Sequence, residues 1–249
     1  MKADTDAAAR MAALVAKGAA GQWRAETAFD WDQPIRLPKL FPRRAYVAAV
    51  SQLYHGEVAT LEFCSRLIDA LPDDVDRRAL ALQIADERRH AEVYRAYLAR
   101  LGDMAEMDES MRTAVDAAKA WPGSYHAAVV AFHVVLESEA VRLQEEFGRW
   151  FPCPLLRQIN GTVARDEARH VAFGKIWLRG ELATLAPDQR LEIFRWVERL
   201  WHDCAVTTID RHGLPSALIK GLGRRWLEER WQRQRRGLVD IGLVAEGVG

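Results

Sequence analysis

Residues 166–170 read Asp-Glu-Ala-Arg-His, inside a segment whose neighbours Val163, Val171 and Phe173 mark an apolar helix face. An ionised carboxylate on such a face is costly unless something compensates it. The same pattern stands 80 positions earlier as Asp86-Glu87-Arg88-Arg89-His90. In each copy the Glu and His are three residues apart and therefore share one helix face. Two further glutamates complete the set, because Glu57 precedes Glu87 by 30 residues and Glu137 precedes Glu167 by the same 30. Four carboxylates and two neutral imidazoles carry four negative charges, which two divalent cations would balance.

Elements must bring these residues to one level. Proline and glycine cluster at a few points, and the intervals between them have helical periodicity without an alternating strand pattern. The chain is predicted to be all-α. An Ala-rich helix over about 4–19 is followed by an irregular stretch with Pro34, Pro38 and Pro42. Long helices are predicted at about 44–71, 74–101, 124–150 and 155–185, bounded by Pro72, Gly102, Pro122-Gly123, Pro152 with Pro154, and Pro187. A shorter helix at about 108–120 falls in the long middle connection, and helices at about 188–212 and 215–236 precede a weakly patterned tail. Short connections within each pair and a long one between pairs predict two antiparallel hairpins joined by one crossover.

At alternating spacings of 3 and 4, the four seams are apolar at their ends and polar at their middles. They run through Tyr54, Glu57 and Cys64; through Ile84, Glu87, His90, Tyr94 and Tyr97; through His133, Glu137 and Gln144; and through Val163, Glu167, His170 and Gly174. Glu62 and Glu139 fall off the seams and are predicted to be solvated.

Composition narrows the function. Lys plus Arg equals Asp plus Glu at 35 each, so no net field draws the chain to nucleic acid or an anionic membrane. The three cysteines, Cys64, Cys153 and Cys204, form no CxxC pair, which argues against a zinc ribbon, a rubredoxin-type iron site or a disulfide framework. The charged N-terminus lacks the apolar run of a secretory signal, and no segment approaches the roughly 20 apolar residues of a membrane span. A cytoplasmic protein is expected.

The doubled Asp-Glu-x-Arg-His pattern, each copy preceded by its spaced glutamate, resembles the ferritin-like di-iron carboxylate proteins over about residues 44–185. The pattern is closer to their oxidase and oxygenase branch than to storage ferritins. That branch includes acyl carrier protein desaturases, bacterial multicomponent monooxygenases, p-aminobenzoate N-oxygenases and ribonucleotide reductase small subunits. The resemblance implies a four-helix bundle with one long crossover and flanking helices, read as a single domain over 1–249 with an N-terminal extension to 43. It implies Glu57, Glu87, His90, Glu137, Glu167 and His170 as ligands of two iron ions, with manganese allowed in one or both places. Asp86 and Asp166 would accept hydrogen bonds from a ligand histidine on the partner helix; the alternative is ion pairing with Arg88, Arg89, Arg165 or Arg169.

The residues around the centre invite further expectations. Tyr94, one turn beyond His90, holds the place of the radical tyrosine in ribonucleotide reductase small subunits, although a core tyrosine with a satisfied hydroxyl is the simpler reading. Its repeat partner is Gly174, so a cavity beside one metal is predicted there, with the face of Tyr54 and His133 as the other candidate pocket. His133 is read as an extra ligand, a proton donor or a hydrogen-bonded core residue. The Arg-rich segment 224–236 is expected to be a terminal helix with Trp226 and Trp231 packed inward. The predicted activity is oxidation of a small organic substrate with O₂, with electrons from a ferredoxin or reductase, in a monomer or homodimer. The rivals are a ferritin-like ferroxidase or rubrerythrin-like peroxide-handling protein, and a bundle that merely binds metal.

Overall fold

The computed structural model describes the backbone of residues 2–39, 41–71, 74–121, 123–211 and 217–247, and their side chains except at 2–5, 204–211 and 217–222. Every element among the described residues is helical. They are α1 (Lys2–Ala20), α2 (Arg43–Leu67), α3 (Asp74–Leu101), α4 (Glu109–Lys119), α5 (His126–Val129), α6 (Glu137–Trp150), α7 (Pro154–Leu182), α8 (Pro187–Arg211) and α9 (Ala217–Asp240). A 3-10 turn, Ile68–Ala70, extends α2. A π-helical segment, Val130–Leu136, joins α5 to α6, so 126–150 is one helix with a widened middle. Pro72 and Pro122 lie outside the described residues, as do the first two positions of the last predicted helix. None of the helices, among the described residues, is long and apolar enough to cross a membrane.

Local chemistry explains the boundaries. The acids Asp74 and Asp76 in the first turn of α3 and Arg100 in its last both complement the helix dipole. Gly102, at φ 68°, takes the left-handed conformation that ends α3. The carboxylate of Asp108 caps α4 by accepting from the Ser110 amide at 2.9 Å. Pro154 and Pro187 open α7 and α8, where a missing N–H is harmless.

By its contacts the chain divides into two compact units, Met1–Met107 with Leu136–Phe173, and Asp108–Val135 with Gly174–Gly249. In the first, α2 runs along α3 and α1 packs on α3. Its apolar core joins Tyr46, Val50 and Leu53 of α2 to Val93, Tyr94, Tyr97 and Leu98 of α3 and to Leu156, Ile159 and Val163 of α7. Each fully buried aliphatic side chain there contributes about 1.5–3 kcal/mol. The hydroxyls of Tyr46 and Tyr97 meet at 2.6 Å, which satisfies both within that core.

In the second unit α4 and α9 each pack on α8. Two expectations are corrected here. Trp231 is buried against Phe194, but Trp226 is 41% exposed, with the Arg230 guanidinium 4.2 Å from its ring centre. The last helix runs past 236, and Leu238, Ile241 and Leu243 of the supposed tail are buried. Three apolar residues within six positions are enough to hold the end of the chain down.

Candidate metal centre

The six predicted ligands come together in the first unit as two overlapping groups of four. Glu57, Glu87, His90 and Glu167 form one, and Glu87, Glu137, Glu167 and His170 form the other. Within each group one ligand atom per residue lies within 4.8 Å of the rest, and all six side chains are buried. Glu87 and Glu167 belong to both groups. They are also the glutamates of the repeated motif.

The histidines are oriented in the same way in both halves. His90 Nδ1 faces Glu167 Oε1 at 3.1 Å and Glu57 Oε2 at 3.3 Å. His170 Nδ1 faces Glu167 Oε2 at 2.9 Å and Glu87 Oε1 at 3.0 Å. The opposite edge of each ring points at the aspartate of the other repeat, with Nε2 of His90 3.3 Å from Asp166 and Nε2 of His170 3.2 Å from Asp86. Both aspartates are held below the usual carboxylate range, burial being outweighed by the histidine bonds and the arginines, so each is an acceptor and each Nε2–H must donate. Nδ1 of each ring then faces the carboxylate layer, the nitrogen left to a metal once its proton is displaced.

Arginine pairing and histidine bonding, offered as alternatives for the aspartates, occur together. Arg169 bridges Asp166 at 2.5 Å and Asp86 at 2.7 Å, and Arg89 contacts Asp86 closely and Asp166 at 3.6 Å. Two aspartates and two arginines, all from the repeated motif, thus form a neutral quartet beneath the histidines.

Electrostatics within the layer separates the glutamates. Burial, then Glu167, pushes Glu57 well above the usual carboxylate range, and the same two causes raise Glu137. Burial also opposes ionisation of Glu87 and Glu167. For Glu87 the contacts with His170 and His90 bring it below the ordinary value; for Glu167 a hydrogen bond from Glu137 and both histidines do so. Both imidazoles are raised by the carboxylates despite burial. Without cations, Glu57, Glu137 and the two imidazoles are thus shifted toward holding protons and Glu87 and Glu167 toward ionisation. Two buried oxygens, Glu87 Oε2 and Glu167 Oε1, accept no hydrogen bond. Hard carboxylate oxygens, two inward-facing imidazole nitrogens and unsatisfied acceptors shared between two groups fit a pair of divalent transition-metal ions.

Sequence reasoning missed three contributors. Trp23, in the stretch after α1, donates its indole N–H to Asp166 at 2.8 Å and stacks on His90 with ring centres 6.0 Å apart. Gln22 beside it donates to Asp86 at 3.2 Å. Gln83, one turn before Glu87, donates its amide to Glu87 at 3.1 Å and Glu137 at 3.0 Å. Gln83 was findable as a polar residue on a buried face. The other two were not, since no periodicity relates an irregular segment to helices 64 and 143 residues away.

The predicted pocket residues fare differently. Tyr94 is fully buried and donates to Asn160 at 3.1 Å, the arrangement of a satisfied core tyrosine. Tyr54 is half-buried, and neither it, Tyr94 nor His133 belongs to either ligand group. The cavity predicted at Gly174 is absent. A Cβ there would lie 2.4 Å from Cβ of His133, so the glycine lets the His133 helix approach closely and the histidine fills the space. Gly174→Ala is accordingly expected to destabilise the protein by about 1–3 kcal/mol through overpacking, measured by urea unfolding. Glu139 is corrected as well: it is 9% exposed rather than solvated, with Arg142 one turn on at 3.8 Å to offset its charge.

No family model and no curated protein matches the sequence. Among solved structures the chain is similar to R2-like ligand-binding oxidase with aerobically reconstituted Mn/Fe cofactor, with TM-score 0.67 and 18% identity over 91% of this chain and 92% of that one. A single-site variant of that oxidase with anaerobically reconstituted Mn/Fe cofactor gives TM-score 0.71 at 18% identity over the same shares. The likeness establishes the fold, the ferritin-like helical bundle expected from the doubled motif.

Proposed function

We propose that the chain is a di-metal carboxylate oxidase or oxygenase that uses O₂ to oxidise a small organic molecule. The observation that carries this reading is the pair of buried four-ligand groups sharing Glu87 and Glu167. Glu57 and His90 would complete one ion's set, and Glu137 and His170 the other's. Both ions would be iron, or one manganese as in the cofactor of the similar oxidase; donors of this kind do not themselves separate the two metals. When bound and reduced, such a pair supplies two electrons to O₂.

The chain's own residues prepare that chemistry. Asp86 and Asp166 fix the tautomer and orientation of His170 and His90. Arg89 and Arg169 keep the aspartates ionised without leaving net charge in the core. Gln83 orients Glu87 and Glu137 through its amide. Burial of the whole layer excludes bulk water. Electrons would come from a separate ferredoxin or reductase.

Anaerobic titration of the metal-free chain with ferrous iron, followed by O₂, tests the reading. We expect about two irons per chain. Because Glu57, Glu137 and both imidazoles are shifted toward holding protons in the metal-free layer, loading should release protons, read by heats of binding in buffers of different ionisation enthalpy. Affinity should rise with pH, since protons compete with metal. Release of no protons, or one iron per chain, would sink the di-metal reading. A large shell accumulating many irons per chain would favour iron storage instead.

A further inference from the structure

We propose that one end of the first unit, where α2 and α7 begin and α3 and α6 end, docks on the surface of an anionic lipid bilayer. Trp150 and Phe41 enter the headgroup layer, and neighbouring basic side chains meet the phosphates. Docking itself needs no metal. Only its use, bringing an oxidase to substrates that dissolve in lipid, rests on the reading above.

Contacts bring the four helix ends together. Arg43, the first residue of α2, donates to the carbonyl of Leu101 at the end of α3 and lies 3.8 Å from Asp103 just beyond it. Phe41, before α2, packs its ring 5.6 Å from that of Phe151, which follows α6. The Phe41 amide donates to the Pro38 carbonyl at 3.5 Å, which keeps Leu37 and Lys39 nearby. Arg157, in the first turn of α7, donates to the Gly148 carbonyl of α6 at 2.9 Å. Six large apolar side chains are exposed among the described residues, and four of them, Leu37, Phe41, Met104 and Trp150, belong to the segments that meet here. Trp150, at 60%, is the most exposed of the six. Scattered apolar side chains need no explanation, but gathered ones mark an interaction surface.

The same segments carry a charge imbalance. The chain as a whole is neutral, yet 36–39, 41–44, 100–104 and 149–157 contain seven arginines and lysines against one acid, Asp103. Asp103 pairs with Arg43, and Glu145 pairs with Arg149. Arg36, Lys39, Arg44, Arg100 and Arg157 are exposed and lie in no ion pair among the described residues. Exposed aromatic rings beside uncompensated cations suit an anionic bilayer, where the cations meet headgroups and the rings sit at the interface. A second copy fits poorly, because a two-fold contact through this face would set the same cations opposite one another. Leu37 and Met104 would gain nothing from the phosphates of a nucleic acid but can enter the acyl boundary. No helix among the described residues is long and apolar enough to span a bilayer, so the contact is peripheral.

Sedimentation of the metal-free full-length chain with large unilamellar vesicles tests the proposal. Vesicles of phosphatidylcholine and phosphatidylglycerol in equal amounts should carry the chain down at about 0.1 M salt and release it at about 1 M. Vesicles of phosphatidylcholine alone should not bind it. Lys39→Gln and Arg44→Gln should each weaken binding about fivefold. Trp150→Ser should weaken it about tenfold and remove most of the quenching of tryptophan fluorescence by brominated acyl chains. Leu37→Ser serves for affinity if Trp150→Ser does not fold. Arg224→Gln and Trp226→Ser, at exposed positions on α9, should leave both readouts unchanged. Equal sedimentation with both vesicle types, wild-type binding by the Trp150 variant, or equal losses from the α9 variants would overturn the proposal. So would a dimer in equilibrium ultracentrifugation that Trp150→Ser dissociates, or tight binding of a single-stranded oligonucleotide by a chain that ignores vesicles. Failure here leaves the di-metal reading standing, and failure to take up iron leaves the docking surface standing.

Discussion

Glu87→Ala and Glu167→Ala are each expected to reduce bound metal from about two ions per chain to nearly none, whereas Glu57→Ala and Glu137→Ala should leave about one. The difference follows from membership: the first two carboxylates serve both four-residue groups and the other two serve one each. Losing a shared carboxylate removes a ligand from both ions and leaves two imidazoles facing a single remaining central carboxylate. Each outer glutamate instead lies beside one histidine, with Glu57 3.3 Å from His90 and Glu137 3.9 Å from His170. Elemental analysis of desalted, iron-loaded variants measures the outcome. Glu62→Ala is the control, because Glu62 is ion-paired with Arg66 at the surface and belongs to neither group. Equal losses at all four glutamates would mean that the sharing is not functional.

Arg169→Met should cost about 3–5 kcal/mol of folding stability, the scale for removing one partner from a buried ion pair. Arg169 is 9% exposed and bonds to both aspartates, so its loss leaves two buried carboxylates with less compensation. Arg88→Ala, on the exposed face of the same helix turn as Arg89, should change stability by no more than about 0.5 kcal/mol. The pH dependence supplies a second readout. Asp86 and Asp166 have lowered folded values, so their contribution is present above the ordinary carboxylate value and is lost as pH falls through the folded ones. Without Arg169 those folded values rise, and acid unfolding should begin at higher pH. Chemical denaturation of the metal-free proteins across an acid series tests both statements, and identical curves for Arg169→Met and wild type would show that the quartet is not stabilising.

The ligand set was legible because each residue breaks a strong pattern. A carboxylate on an apolar seam is improbable alone, and six polar residues in register with two equal spacings leave few explanations. Helix limits were legible for the same reason, since proline and glycine punctuate the chain where helices must end. What could not be read depends on interactions that no local pattern encodes. The π-helical turn at 130–136 contains no glycine or proline to announce it, and it forms only where packing repays an extra residue in the helix. Gly174 looked like room for a substrate because sequence shows a missing side chain but not the neighbour that takes its place. Glu139 looked solvated because it lies off the seam, whereas it is buried with Arg142 3.8 Å away, a pairing that no seam pattern encodes. Trp23 and Gln22 lay in a stretch with no period to read.

The contact between His133 and Gly174 has a consequence for how two unlike halves arise from one doubled hairpin. The corresponding positions in the first half are Leu53 and Tyr94, both in the apolar core of that unit and, like His133 and Gly174, 41 residues apart. Between the halves, bulk has moved from one member of the pair to the other. A tyrosine at 174 would drive its Cβ into His133, and a glycine at 94 would leave a void in the core that Leu53 shares. Two positions so coupled are expected to change together, a single exchange at either costing stability that the second exchange restores. With both partners different, a single exchange at either position is uncompensated, so the difference between the halves is held by packing even where neither residue belongs to a ligand group.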